Sequence, residues 1–290
     1  MHRGIDLLSW NQIPIDEDSL ELRTLDLRDS ETAQSASLAE LIPVLASPDD
    51  HAALTLSANS IASASGQLYP LIDQSPLLLP QQVISRIHNS TLGISFDNIK
   101  DALDQYLYLN IVKNSGWEAN SPHDDVWYLR HLHRSRQLVA NSKGLVLDIG
   151  CDEPEISRRI FPAEARYVGL EPSLEQRQGM RLIGMAEFLP FQNEGVDAVS
   201  FMTSLDHILD YHTAIDEAYR VLKPGGSLYL VTLIWTDRAH LYRDSIHFHH
   251  FRDFEVAGAL RNFHIKSIKR YNWKNDSHRS VYYLEAIKPV

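Results

Sequence analysis

Four groups of residues in this chain have the types and spacing to do chemistry. The first is GLVLDIGCDEPEIS, residues 144–157, where an apolar run ends in Asp148, Gly150 and Cys151. A strand stopping on Asp-x-Gly enters a tight turn at the carboxyl edge of a sheet, where glycine lets the main chain approach a ligand. A glycine-rich nucleotide turn carries further glycines where this chain has Asp152 and Pro154. Asp152 adds a β-carbon and a negative charge, whereas Pro154 has the fixed φ that suits the first turn of a helix. The second group is Glu171, followed by Pro172, at the end of ARYVGLE and about twenty residues beyond Gly150. A carboxylate there accepts from both hydroxyls of a ribose, having acceptor oxygens and no donor. A surface residue at a strand end is the plainer alternative.

The third group lies in SFMTSLDHILD, residues 200–210, with Met202, Thr203, Asp206 and His207. An imidazole titrates near neutrality, so His207 can serve as general base for a hydroxyl proton, or else it is a packing or helix-start histidine. Asp206 is a candidate to orient it, although adjacent residues on a helix point apart. The fourth is HLYRDSIHFHHF, where His240, His247, His249 and His250 are interleaved with Tyr242 and Arg243. Metal-ligand spacing is conceivable here, but without a nearby carboxylate pattern no metal is expected. An acceptor-binding loop that includes His249 and His250 is preferred over plain packing.

The elements that must position these groups follow an α/β pattern. Seven strands are expected, at GLVLDIG, ARYVGLE, RLIGMA, VDAVSFM, GSLYLVTLIW, HIKSIKRYNW and SVYYLEAIK. Helices are expected at EISRRIF, SLEQRQGM, YHTAIDEAYRVL and FRDFEVAGALRNF. The outcome is a Rossmann-like doubly wound sheet whose last two strands, separated by KNDSH, pair antiparallel. In RVLKPGG, Pro224, Gly225 and Gly226 permit the reversal into the fifth strand. Residues 1–90 read as a small separate module, with a helix possible in SLAELIPVLASPDDHAALTLSA and an extended course for GQLYPLIDQSPLLLP. Residues 91–140 read as a helical cap or linker, and 141–290 as the main domain.

With 290 residues, 44% hydrophobic and 22% charged, the chain is expected to be a globular protein with a sizeable core. A net charge of -11 argues against broad capture of nucleic acid. RHLHRSR, residues 130–136, is read as a solvated helix face, with a local basic groove as the alternative. Cys151 is the only cysteine, so a disulfide within the chain is impossible and any zinc site would need histidine and carboxylate. There is no apolar signal core and no run of the ~20 apolar residues a membrane helix needs, so the cytoplasm is the expected location.

Taken together, VLDIGC, YVGLEPS, GMAEFLPFQNEGVDAVSFMTSLDHI and AIDEAYRVLKPGGSLYLVT resemble a class I S-adenosylmethionine-dependent methyltransferase over residues 144–290. The resemblance is to the branch that modifies small molecules, quinones, sugars and lipids. It implies S-adenosyl-L-methionine as cofactor, bound by Asp148, Gly150, Cys151, Glu171, Pro172, the backbone of Ala186 and Glu187, and Met202 and Thr203. It implies a hydroxyl or similar nucleophile on a small-molecule, sugar or lipid-linked acceptor, with His207 as catalytic base. The acceptor would lie against Tyr106, Trp127, His249 and His250, in a cap that also holds Tyr108, Trp117 and His123. Met185 stands where the family has an aspartate for the adenine amine, a loss of about 1 kcal/mol or more in recognition unless the backbone compensates. A non-catalytic, methyltransferase-like platform is the alternative reading.

ASGQLYPLIDQSPLLLP, residues 64–80, resembles the closing hairpin of a zinc-ribbon-like family of methyltransferase activators. Tyr69, Pro70, Asp73, Pro76 and Leu77 to Leu79 match, but every cysteine is absent, so zinc is not expected. The resemblance implies that this module packs on the methyltransferase domain or on a second subunit, in a homo-oligomer or with a partner.

Overall fold

The computed structural model describes residues 32–57, 60–90, 126–175, 178–235, 247–273 and 276–290. Its centre is an eight-stranded sheet in the order β1-β7-β6-β9-β10-β12-β11, with β8 also paired to β7. The strands are β1 (Gln34–Ser35), β6 (Gly144–Ile149), β7 (Ala165–Glu171), β8 (Leu182–Ile183), β9 (Val196–Met202), β10 (Leu222–Trp235), β11 (His264–Trp273) and β12 (Asp276–Ile287). Only β12 runs against its neighbours, pairing antiparallel with both β10 and β11. Val146, Leu147, Val168, Leu170, Val199 and Phe201 are buried, as expected of central parallel strands covered on both faces. The sheet has one strand more than the seven expected. Gln34 and Ser35 pair in parallel with Arg166 and Tyr167, too short a contact to leave a periodicity.

The helices are α1 (Leu38–Leu41), α2 (Gln81–Ser90), α3 (Val126–Leu138), α4 (Pro154–Ser157), α5 (Tyr211–Val221) and α6 (Asp253–Ala259). Ser37 starts α1 through a reciprocal capping box with Glu40, and Asp210 starts α5 by accepting from the Thr213 amide. SLEQRQGM is not a helix in its described residues. The Arg181 guanidinium donates to the carbonyls of Ser173 and Glu175, oxygens a helix would need for itself, and Gly179 turns back at φ 89°.

Before β6, four short strands form an antiparallel sheet in chain order: β2 (Leu54–Leu56), β3 (Ser60–Ser63), β4 (Leu68–Ile72) and β5 (Ser75–Pro76). Tyr69 is fully buried; it donates to Asp49 Oδ2 at 2.7 Å and shares a hydrogen bond with Ser47 at 2.9 Å. Leu41, Leu45, Leu54, Ile61, Tyr69 and Leu78 belong to the same apolar cluster as Leu147, Val199 and Leu230 of the large sheet. The extended segment leaving β5 runs alongside β8, where the Leu78 amide donates to the Ile183 carbonyl at 2.8 Å.

RHLHRSR lies on α3 and packs against the last strands instead of facing solvent. Arg134 is 5% exposed with its guanidinium 3.5 Å from the Tyr271 ring centroid. His131 Nδ1 is 2.9 Å from the Tyr283 hydroxyl, and burial, with the nearby Arg134 charge, pushes its pKa down to about 4. Among the described residues no helix is long and apolar enough to cross a membrane.

Candidate functional site

The carboxyl edge of β6 opens into the turn that the sequence singled out. Gly150 has φ 76°, and a β-carbon there would collide with the Ser204 side chain, so only glycine fits. Ser204 closes the approach by donating to the Ile149 carbonyl at 2.5 Å. Asp148 points into the protein and accepts from the Tyr167 hydroxyl at 2.9 Å and from Ser200 at 2.6 Å. Burial outweighs those two hydrogen bonds and raises its carboxyl pKa to about 6. Cys151 is 2% exposed against Gly169 and Tyr167, and burial pushes its thiol up, out of nucleophilic range. The side chains of Asp148 and Cys151 therefore shape the floor, and only their backbone lies at the turn. Asp152 occupies the left-handed region at φ 49°, which an aspartate tolerates better than most residues. Pro154 begins α4, as its sequence context implied.

Glu171 ends β7 beside this turn. Its Oε2 accepts from the Asp152 amide at 3.1 Å and its Oε1 from the Ser173 amide at 3.4 Å. Each oxygen keeps further acceptor capacity, which is what a ribose diol requires. Burial, aided by the neighbouring Asp152 charge, raises its pKa to about 7 against the two amide donors. Arg181 braces the loop that follows Pro172 by holding the carbonyls of Ser173 and Glu175.

On the far side of Glu171, Met185 is 1% exposed in an apolar cluster with Leu79 and Val83, packed by Leu77, Ile84, Phe188 and Phe248. Methionine in place of the family's aspartate thus anchors the segment that leaves the small sheet. Ala186 and Glu187 open a short 3-10 turn. The Glu187 side chain is engaged inside the protein, where Oε1 accepts from the Asp210 amide at 3.1 Å and burial raises its pKa.

β9 ends at Met202. Thr203 turns at φ 63°, with its amide donating to Val231 at 2.9 Å, and Leu205–His207 follow as a 3-10 turn. Here the structure joins groups that the sequence kept apart. Asp206, His207 and His247 offer one ligand atom each, all within 4.8 Å of one another. The missing carboxylate for the histidine-rich stretch is Asp206, some forty positions earlier, a partnership no local spacing reveals. His249 is committed elsewhere, its Nε2 donating to the carbonyls of Ile208 at 2.8 Å and Leu209 at 3.2 Å, which fixes the loop rather than leaving the ring for an acceptor. The His250 ring lies 4.7 Å from that of Trp235. Trp127 falls on α3, with its side chain outside the described residues, as do Tyr106, Tyr108, Trp117, His123, His240, Tyr242 and Arg243.

The residues present suit an adenosyl ligand. Ser204 fills the space at Gly150 itself, and Glu171 stands beside that turn with the acceptor capacity a ribose requires.

Known proteins resemble parts of this chain. The pattern of a methyltransferase domain matches residues 147–230. The demethylmenaquinone methyltransferase of Oceanobacillus iheyensis is 34% identical over 96 residues, covering 32% of this chain and 38% of that protein. The ubiquinone biosynthesis O-methyltransferase of Xanthomonas oryzae pv. oryzae is 29% identical over 247 residues, covering 70% of this chain and 100% of that protein. The chain thus spans well under two thirds of the first relative and the whole of the second. Among solved structures, geranyl diphosphate C-methyltransferase from Streptomyces coelicolor A3(2) aligns with a TM-score of 0.42 at 15% identity, over 54% of this chain and 76% of that one. The chain thus carries a methyltransferase domain over residues 147–230, set on the central strands of its large sheet, and is similar to S-adenosylmethionine-dependent methyltransferases.

Proposed function

We propose that this chain methylates a hydroxyl oxygen of a small aromatic acceptor of the quinone-precursor kind, with other small-molecule, sugar or lipid-linked hydroxyls as the wider class. The observation that carries the reading is Glu171, whose carboxylate stands beside the glycine turn with acceptor capacity left for a ribose. The relative similar to this chain along its own full length, named as an O-methyltransferase of ubiquinone biosynthesis, supports oxygen as the target.

When bound, the cofactor supplies an electrophilic methyl group on sulfonium. The chain's own part is alignment: Glu171, beside the Gly150 turn, holds the cofactor's ribose. The loop from Met202 to His207 lines the side from which an acceptor arrives. His207 lies beside that path, and its neighbours Asp206 and His247 determine how it acts on the hydroxyl.

Calorimetric titration with S-adenosylmethionine and S-adenosylhomocysteine tests the first half. Binding is expected, and Glu171→Ala should weaken it by a factor of about 10 or more. Unchanged affinity in that variant would remove the ribose assignment, and absence of any heat at millimolar ligand would favour the non-catalytic platform. Mass spectrometry of ortho-dihydroxy aromatic compounds incubated with protein and cofactor tests the second half, through the gain of one methyl group on oxygen.

A further inference from the structure

We infer that Asp206, His207 and His247 form a binding site for one divalent first-row transition-metal ion, of the zinc, cobalt or manganese type, at the mouth of the cofactor cleft. The three ligand atoms lie within 4.8 Å of one another, with His247 Nε2 at 3.9 Å from Asp206 Oδ2 and the two imidazole rings 4.5 Å apart between centroids. Metal bonds of about 2.1 Å place tetrahedral ligand atoms about 3.4 Å apart, so a modest inward turn of these side chains completes the set.

Asp206 supplies the independent sign of a ligand. Its side chain is 7% exposed, and Oδ1 is fully buried with no hydrogen-bond partner among the described residues. A carboxylate oxygen is rarely left so unless something else occupies it. The same residue also fixes the third ligand in place, because its carbonyl accepts from the amides of Phe248 at 2.9 Å and His249 at 3.1 Å. His249 adds a second tie by bonding back to Ile208 and Leu209. The loop that carries His247 is thereby pinned to the very residue whose carboxylate it faces.

Two imidazoles and one carboxylate are a borderline donor set that suits zinc, cobalt or manganese better than magnesium or calcium, which take oxygen ligands. Three protein ligands also leave a coordination position open, as in catalytic rather than structural sites. The site follows directly on Ser204, which packs on the Gly150 turn. An acceptor hydroxyl bound at the open position would be acidified and its proton would pass to water, which makes His207 a ligand rather than the general base. That role in transfer rests on the function proposed above, whereas the binding of the ion does not.

The test is a titration of chelator-treated full-length protein with Co2+, followed by visible absorption, and with Zn2+ in competition. One Co2+ per chain is expected, with bands more intense than those of the aqueous ion. Asp206→Asn and His247→Gln should each weaken binding at least about 10-fold. His247 is partly exposed on a loop, so His247→Gln keeps the fold, and unchanged affinity for S-adenosylhomocysteine in that variant verifies this. An aqueous-ion spectrum, or wild-type Co2+ affinity in His247→Gln, would overturn the site. Co2+ binding together with failure to bind S-adenosylhomocysteine would refute the transferase reading and leave the ion site standing.

Discussion

Glu171 carries a pH dependence whose sign follows from its surroundings. Its pKa stands at about 7, above the ordinary carboxylate value of 4.5, because burial outweighs two amide donors. Between those values the folded chain keeps a proton that the unfolded chain has lost, so the Glu171 contribution to stability falls as pH rises through the window. Ligand binding runs the other way. In the proposed contact ribose hydroxyls donate to the ionised form, so binding favours proton release, and affinity for S-adenosylhomocysteine should rise between about pH 6 and pH 8. Calorimetry in buffers of different ionisation enthalpy should show the released proton, and Glu171→Gln should remove both it and the pH slope. Glu171 was legible in the sequence because strand end, residue type and distance from Gly150 all agree. Asp206 with His247 was not, since the loop that unites them is held by backbone bonds to the Asp206 carbonyl, which no residue type announces.

At the scale of elements, the meeting of β6 with the loop after β9 is the tightest joint in the site. Gly150→Ala should destabilise the protein by about 1–3 kcal/mol, since the left-handed backbone and the Ser204 collision both resist a methyl group. Adding Ser204→Gly should recover part of the loss by relieving the collision while leaving the backbone strain, and urea melts of the two variants measure the difference. The loop between β7 and β8 invites a second measurement. Arg181→Leu should lower cofactor affinity by freeing the carbonyls of Ser173 and Glu175, which brace the loop after Glu171. The strands β7, β9 and β11 were readable to the residue because their apolar runs end at polar or turn-forming neighbours. The false helix at SLEQRQGM had acceptable helix formers up to Gly179; the guanidinium that claims its carbonyls belongs to a residue outside the stretch.

Over the whole molecule, the residues before β6 form no detachable body in their described part. Leu41, Leu45, Ile61, Tyr69 and Leu78 complete the apolar cluster of the large sheet, and Leu79 and Val83 cover Met185. A chain lacking residues 1–90 would expose that surface and is expected to aggregate, whereas the intact chain should melt in a single transition. Size-exclusion chromatography and calorimetry of the two chains decide this, and a monodisperse, cooperatively folded truncation would contradict it. The sequence marked where composition changes near residue 90, yet composition does not say which buried faces meet. The prolines of the first ninety residues read as punctuation of a separate arm, although Pro76 and Pro80 flank the leucines that close the larger core.

The two borders of the large sheet are managed differently. β11 ends one side with Lys266, Lys269 and Arg270 along it, charges that discourage a stray strand from docking. On the other side Gln34 and Ser35 lie along the first half of β7, while Leu77 and Leu78 lie along β8. The ribosome makes those residues well before the strands they must meet, and they find their places only once β7 and β8 have emerged. Until then Leu77 and Leu78 have no strand to lie on and stay uncovered on the growing polypeptide, so its yield in a cell should depend on chaperones far more than its final stability would indicate.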